Sequence, residues 1–149
     1  VNDIAMHILF KCVLQIMQKR NQGYILNVAS LAGFMPGPLM STYYATKAYM
    51  LNLTRGVYKE LKMAGSNVHV SVLCPGPVCT NFADRAGVDF KMKSLTSEYT
   101  AKYAIHKLFQ KKLVIVPGFL NKCGHVSGKM VPTKLSMIVT YRIQRRKAK

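Results

Sequence analysis

The sequence predicts an α/β domain built on a parallel sheet, and three observations carry that prediction. Helix-like and strand-like segments alternate as helix, strand, helix, strand, helix, strand along the 149 residues. The strand-like runs at 24–28, 68–73 and 113–116 are short and mostly apolar, as strands covered on both faces are. Glycine, proline or asparagine punctuates the joints between segments. This order requires right-handed crossovers that return each strand parallel to the one before, with helices covering the sheet.

Each element has its own signal. Residues 3 to 18 are expected as the first helix, because Ile4, Ile8, Val13, Leu14 and Met17 recur at helical spacing with Lys11, Gln15 and Gln18 between them. Asn21-Gln22-Gly23 ends it. The run at 24–28 is the first strand, and residues 30–42 form a loop marked by Gly33, Pro36, Gly37 and Pro38. A long helix runs from near Thr42 to Met63, stopped at Gly65. The second strand, 68–73, ends at Cys74-Pro75-Gly76-Pro77. A short helix is expected at 81–86 and a longer one at 97–111, where Lys107, Lys111 and Lys112 suit the negative end of the helix dipole. The third strand stops at Pro117-Gly118. Leu135, Met137, Ile138, Val139, Tyr141 and Ile143 then suggest a partly amphipathic helix.

Composition narrows the function classes. Half the residues are hydrophobic, enough for a core. No apolar run approaches the roughly 20 residues of a membrane span, and no basic-then-apolar leader opens the chain. The chain begins Val1-Asn2-Asp3, without a methionine, which suggests a piece of something longer. The net charge of +17 raises nucleic-acid binding. The bases are scattered, however, apart from Arg142, Arg145, Arg146, Lys147 and Lys149, and no zinc-finger or RNA-recognition pattern accompanies them, so no nucleic-acid partner is expected. Cys12, Cys74, Cys79 and Cys123 form no C-x-x-C, and the four histidines are dispersed, so no metal site is expected. Cys12 and Cys74 lie in apolar runs and are expected in the core, and a reduced, cytoplasmic setting follows.

The chemistry gathers in STYYATKAY, residues 41–49. Tyr-x-x-x-Lys occurs three times: Tyr43/Lys47, Tyr58/Lys62 and Tyr103/Lys107. On a helix, each pair lies on one face. An ammonium beside a phenol favours the phenolate, which suits a tyrosine to proton transfer. Spacing alone does not choose among the pairs. Only Tyr43 follows a serine, Ser30, placed thirteen residues earlier at the end of a strand; Ala45 and Phe90 occupy the equivalent positions for the other two. Ends of parallel strands are where such folds gather function. The other pairs are expected to be solvated. Tyr44 lies about 100° around the helix from Tyr43 and does not share its face.

These residues resemble the short-chain dehydrogenase/reductase family. The matching segments are Asn27-Val28-Ala29-Ser30-Leu31-Ala32-Gly33, Pro38 and Tyr43-Tyr44-Ala45-Thr46-Lys47-Ala48, with Cys74-Pro75-Gly76-Pro77-Val78-Cys79-Thr80 after the next strand. The stretch 34–49 looks most like bacterial short-chain oxidoreductases, some of whose relatives act on steroids. The resemblance implies the C-terminal part of a Rossmann-type, doubly wound fold, with residues 1–149 a partial domain and 118–149 a substrate rim and basic tail. It implies an NAD(P)-dependent interconversion of a carbonyl and an alcohol. Tyr43 would be the acid/base, Lys47 its charge partner and a ribose ligand, and Ser30 a hydrogen-bond partner of the substrate oxygen. Asn2 would support a water relay, and Pro75, Gly76, Val78 and Thr80 would shape the nicotinamide site. Taken alone, Asn2 and Thr80 read equally well as helix caps.

The 149 residues contain no G-x-G-x-x-G or similar glycine cluster to cradle a pyrophosphate. The first strand is therefore expected to present an open sheet edge, and the chain alone is expected to be inactive. NAD and NADP are not distinguished. The competing class is a non-catalytic chain acting through association. Met6, Leu9, Phe10, Leu51 and Val57 would form a dimer surface or else core, and a homo-oligomer is expected of the longer form. Attachment of residues 135–149 to a membrane surface is the disfavoured third reading, since such tails also serve as lids or dimer contacts. Phe82, Phe90, Met92, Phe119, Met130 and Val131 suit an apolar carbonyl or alcohol, steroid-like compounds included.

Overall fold

A three-stranded parallel sheet with helices on both faces organises the chain. The computed structural model describes residues 2–79, 94–123 and 131–147. In chain order these hold α1 (Asn2–Arg20), β1 (Gly23–Val28), a 3-10 turn (Leu31–Phe34), α2 (Ser41–Met63), β2 (Val68–Leu73) and β3 (Val78–Cys79). There follow β4 (Leu95–Thr96), α3 (Ser97–Phe109), β5 (Val114–Ile115) and α4 (Thr133–Lys147).

The sheet order is β1-β2-β5, with Gly23 opposite Val68, Val28 opposite Leu73, and Leu73 opposite Ile115. β2 is central and buried at every position. Side chains alternate across the sheet. Ile25 and Val70 meet Phe10 of α1 and Leu61 of α2 on one face, while Leu73 and Ile115 meet Ala104 and Leu108 of α3 on the other. A third cluster, Ala29, Leu51, Val72, Cys74 and Val116, lies under the C-terminal ends of the strands. Among the described residues nothing pairs with the outer edge of β1.

The helix ends follow from local chemistry. α1 closes with Asn21 at φ +47°, the Asn21 N–H bonding Gln18 O and the Gln22 N–H bonding Met17 O. α2 repeats the motif at Gly65, φ +64°, with Ser66 N–H returning to Leu61 O. Both are left-handed caps that satisfy carbonyls the helix leaves unpaired. Thr96 caps α3 by accepting from the Tyr99 N–H.

Several expectations need correction. Cys12 is exposed, not in the core, whereas Cys74 is fully buried. The inward face of α1 is Met6, Phe10, Val13, Leu14 and Met17. Ile4, Ile8, Leu9 and Ile16 point to solvent, because α1 is apolar nearly all round and spacing alone cannot say which side finds a sheet. Leu51 is core, in the cluster with Ala29 and Val72, and Met6 and Val57 pack against the cluster of Phe10, Ile25 and Leu61. The third strand pairs only over Val114–Ile115. The two-residue ladder between β3 and β4 has no sequence signature. The expected helix at 81–86 lies outside the described residues.

Candidate active site

The site forms where β1 and β2 end. Backbone bonds continue past the strands: the Ala29 N–H donates to Leu73 O at 2.8 Å, and the Leu31 N–H to Pro75 O at 3.0 Å. They hold the serine loop against the Pro-Gly loop. Ser30 caps the 3-10 turn, its Oγ accepting from the Ala32 N–H at 3.2 Å, with Pro75 O at 3.5 Å on its other side.

Gly33 brings this loop onto α2. A Cβ at Gly33 would stand 2.7 Å from the Lys47 backbone oxygen, closer than real side chains pack. Glycine three residues after Ser30 is therefore a requirement of close approach. Lys47 reaches back across the gap, its Nζ donating to Val28 O at 3.2 Å, and it stands 5.8 Å from the centre of the Tyr43 ring. Tyr43 is half-buried in the first turn of α2.

Cys74 lies beneath these groups. Burial pushes its thiol up to about 12, against the opposing charges of Arg55 and Lys47 and a backbone hydrogen bond from Ser30. The neutral thiol is core packing, and it places Ser30 and Lys47 in one neighbourhood.

Tyr44 has a different occupation. Its hydroxyl accepts from Gln144 Nε2 of α4 at 2.6 Å, and its ring lies against Gly37, where a Cβ would overlap it. Burial raises the Tyr44 pKa, the Gln144 bond opposes the rise, and neighbouring Tyr43 adds to it. A phenol held protonated and already hydrogen-bonded is a poor proton shuttle at neutral pH. An open apolar cavity of about 550 Å³ lies on this side, lined by Phe34, Met35, Pro36, Tyr44, Ala48 and Met137 among others.

The other two pairs share the ring-to-ammonium distance, 5.8 Å for both Tyr58/Lys62 and Tyr103/Lys107. They are not simply solvated pairs, as expected above, for Lys62 is exposed and Lys107 half-buried while the tyrosine rings pack at the edge of the core.

The remaining sequence-predicted residues fall as follows. Pro75 and Gly76 are half-buried beside the Asn121 side chain, which donates to Pro117 O at 2.8 Å and would collide with a Cβ at position 76. Val78 opens β3 opposite Leu95. Asn2 opens α1, but its side chain, like Thr80, lies outside the described residues. The sequence did not single out Gln144, which meets Tyr44 across a hundred residues, or Asn121, which bonds Pro117 four residues away but lies far along the chain from Gly76.

The Ser30 hydroxyl and the Lys47 ammonium thus stand at the strand ends, with the Tyr43 ring beside Lys47 on α2, donors of the kind that ribose hydroxyls and a carbonyl oxygen accept. They fit the nicotinamide-ribose end of a dinucleotide.

The family model for short chain dehydrogenase matches residues 1–89, and the chain belongs to that family. It is 28% identical over 145 residues to estradiol 17-beta-dehydrogenase 11 of Mus musculus, covering 96% of this chain and 48% of that protein. It is 38% identical over 72 residues to an uncharacterized oxidoreductase of Staphylococcus saprophyticus, covering 48% and 29%. A short-chain dehydrogenase from Sphingobium yanoikuyae, solved in complex with NADPH, superposes with a TM-score of 0.71 at 27% identity, over 85% of this chain and 50% of that one. The chain therefore spans half or less of the length of these relatives. Among the described residues no helix is long and apolar enough to cross a membrane, and no cluster could hold a metal ion.

Proposed function

We propose that these residues are the catalytic half of an NAD(P)-dependent oxidoreductase that interconverts an apolar carbonyl and its alcohol. The observation that carries this reading is the convergence of Ser30, Lys47 and the Tyr43-bearing turn of α2 at the ends of β1 and β2, closed by the contact at Gly33. The nicotinamide, when bound, supplies or accepts the hydride. Tyr43 Oη donates a proton to the carbonyl oxygen during reduction and takes one from the alcohol during oxidation. The Lys47 ammonium stabilises the phenolate and binds the ribose hydroxyls. Ser30 Oγ holds the substrate oxygen in reach. Asn2 supports the water that links Lys47 to solvent. Pro75 and Gly76 wall the nicotinamide, with Val78 and Thr80 toward its carboxamide.

The relative named for estradiol and the apolar rim residues support a steroid-sized, apolar substrate. The absent glycine cluster supports inactivity of these 149 residues alone. The test is oxidation of NADPH or NADH with an apolar ketone, in a chain that also carries the glycine-rich turn. Tyr43→Phe is expected to lower turnover at least about 100-fold, and Tyr44→Phe to leave most of it. Equal losses would overturn the assignment, as would ketone-dependent turnover by the 149 residues alone.

Self-association is a second reading with its own observation. Ile4, Ile8, Leu9 and Ile16 present an exposed apolar face on α1, of the kind that interfaces cover. Light scattering distinguishes a defined dimer, which supports this surface, from polydisperse aggregate, which does not.

A further inference from the structure

The C-terminal helix is turned inside out. A helix packed on a water-soluble domain buries an apolar stripe and shows water its polar side. In α4 the two deeply buried side chains are polar, while Met137 lines the cavity beside Tyr44: the Thr140 hydroxyl donates to Pro36 O at 3.1 Å and Gln144 Nε2 to the Tyr44 hydroxyl at 2.6 Å. Thr140 is 5% exposed and Gln144 7%. Leu135, Ile138, Val139 and Ile143 are 44–50% exposed.

At about 100° per residue, Leu135, Ile138 and Val139 share one arc roughly opposite Thr140. Arg142 continues that arc one turn later, and Arg145 flanks it. The hydrogen bonds fix the rotation of the helix, so this face is directed outward by the fold.

We propose that α4 lies on an anionic membrane surface, with Leu135, Ile138 and Val139 entering the acyl boundary and the arginines reaching the headgroups. Charge decides the occupant. The chain carries 22 lysines and arginines against 5 acidic residues, so a second copy would bring like charge to the arginine-bearing half of the face. A bilayer containing anionic lipid offers both an apolar layer and negative charge at the depth that arginine stems span. The structure thereby reverses the weighting that sequence alone gave to the tail: the apolar residues are exposed, and polar groups do the docking that a lid or core helix assigns to apolar ones.

The experiment is co-sedimentation of the purified protein with vesicles of phosphatidylcholine, with or without phosphatidylserine. Binding is expected only with phosphatidylserine and is expected to weaken at high salt. Arg142→Gln and Arg145→Gln should each weaken it about fivefold. Leu135→Ser combined with Ile138→Ser should abolish it while circular dichroism is unchanged, both side chains being already exposed. Failure to sediment with phosphatidylserine vesicles overturns the proposal. So does undiminished binding by the Leu135/Ile138 double variant, which would mean adsorption by charge alone. A defined dimer dissociated by Ile138→Ser would assign the face to a second copy instead.

Discussion

The first and last turns of α2 carry the same pair of residues in the same geometry. Tyr43 and Lys47 stand at 5.8 Å, ring centre to ammonium, and so do Tyr58 and Lys62. Their surroundings differ. Lys47 is drawn to the end of β1 through Val28 O, and its backbone touches Gly33, which brings the Ser30 loop alongside. Tyr58 packs edge-on to His69 against the first core cluster, and Lys62 projects from the last turn of the helix. Helical spacing therefore makes the pair, and the end of the sheet sets a serine loop beside one of the two. A cation near a phenol costs the fold nothing special, whereas bringing the Ser30 loop alongside such a pair requires two strand ends and a glycine.

That contrast can be broken at either end of α2. The largest effect is expected from the lysines. In a chain carrying the glycine-rich turn, Lys47→Met should lower ketone-dependent turnover at least about 100-fold, while Lys62→Met should leave it near the starting rate. Comparable losses would mean that general charge, not position, matters.

Glycines sharpen the contrast through stability. Gly33→Ala drives a methyl to 2.7 Å from the Lys47 carbonyl oxygen and should destabilise by about 1–3 kcal/mol in urea unfolding. Gly56→Ala, in the same helix with nothing within 4 Å, should stabilise by about 1 kcal/mol. A destabilising Gly56→Ala would show that the helix packs differently there.

Thr54 lies between the two ends. Its hydroxyl accepts from the buried Asn27 amide at 2.8 Å and donates to Met50 O. Thr54→Val leaves that amide unpaired and should cost about 1–3 kcal/mol. An unchanged midpoint would mean that another acceptor replaces it.

The smallest expected effect is the titration of His69. Burial lowers its pKa, and the Lys62 and Lys111 charges lower it further against a hydrogen bond that the ring donates to the Lys112 backbone carbonyl. The folded state thus resists a proton that the unfolded state accepts near 6.5. Stability is full above about 6.5 and falls as the pH drops below it, until His69 itself charges. His69→Gln should flatten that slope in a pH series of unfolding midpoints.

What was legible in the sequence follows the range of each interaction. β2 was read to the residue, because all six positions are buried and turn residues bound both ends. The positions of Ser30, Tyr43 and Lys47, after a strand and at the start of a helix, are legible because strand end, loop and helix start are adjacent along the chain. Gln144 was not, since it meets Tyr44 across a hundred residues. The β3–β4 ladder was not, since two residues carry no periodicity. The exposure of Cys12 is not legible, because an apolar neighbourhood in sequence does not orient a helix that is apolar on several sides. The tail was recognised as amphipathic, but the hydrogen bonds that turn its apolar side outward connect it to residues a hundred positions away.

The most direct measurement is turnover of an apolar ketone by Tyr43→Phe and Tyr58→Phe, each in a chain that carries the glycine-rich turn. The two substitutions remove the same atom from two pairs of equal spacing and equal ring-to-cation distance. If the end of the sheet confers function, Tyr43→Phe loses at least about 100-fold and Tyr58→Phe keeps most of the rate. Retention of activity by Tyr43→Phe, or an equal loss in both, would contradict the assignment of Tyr43 as the acid.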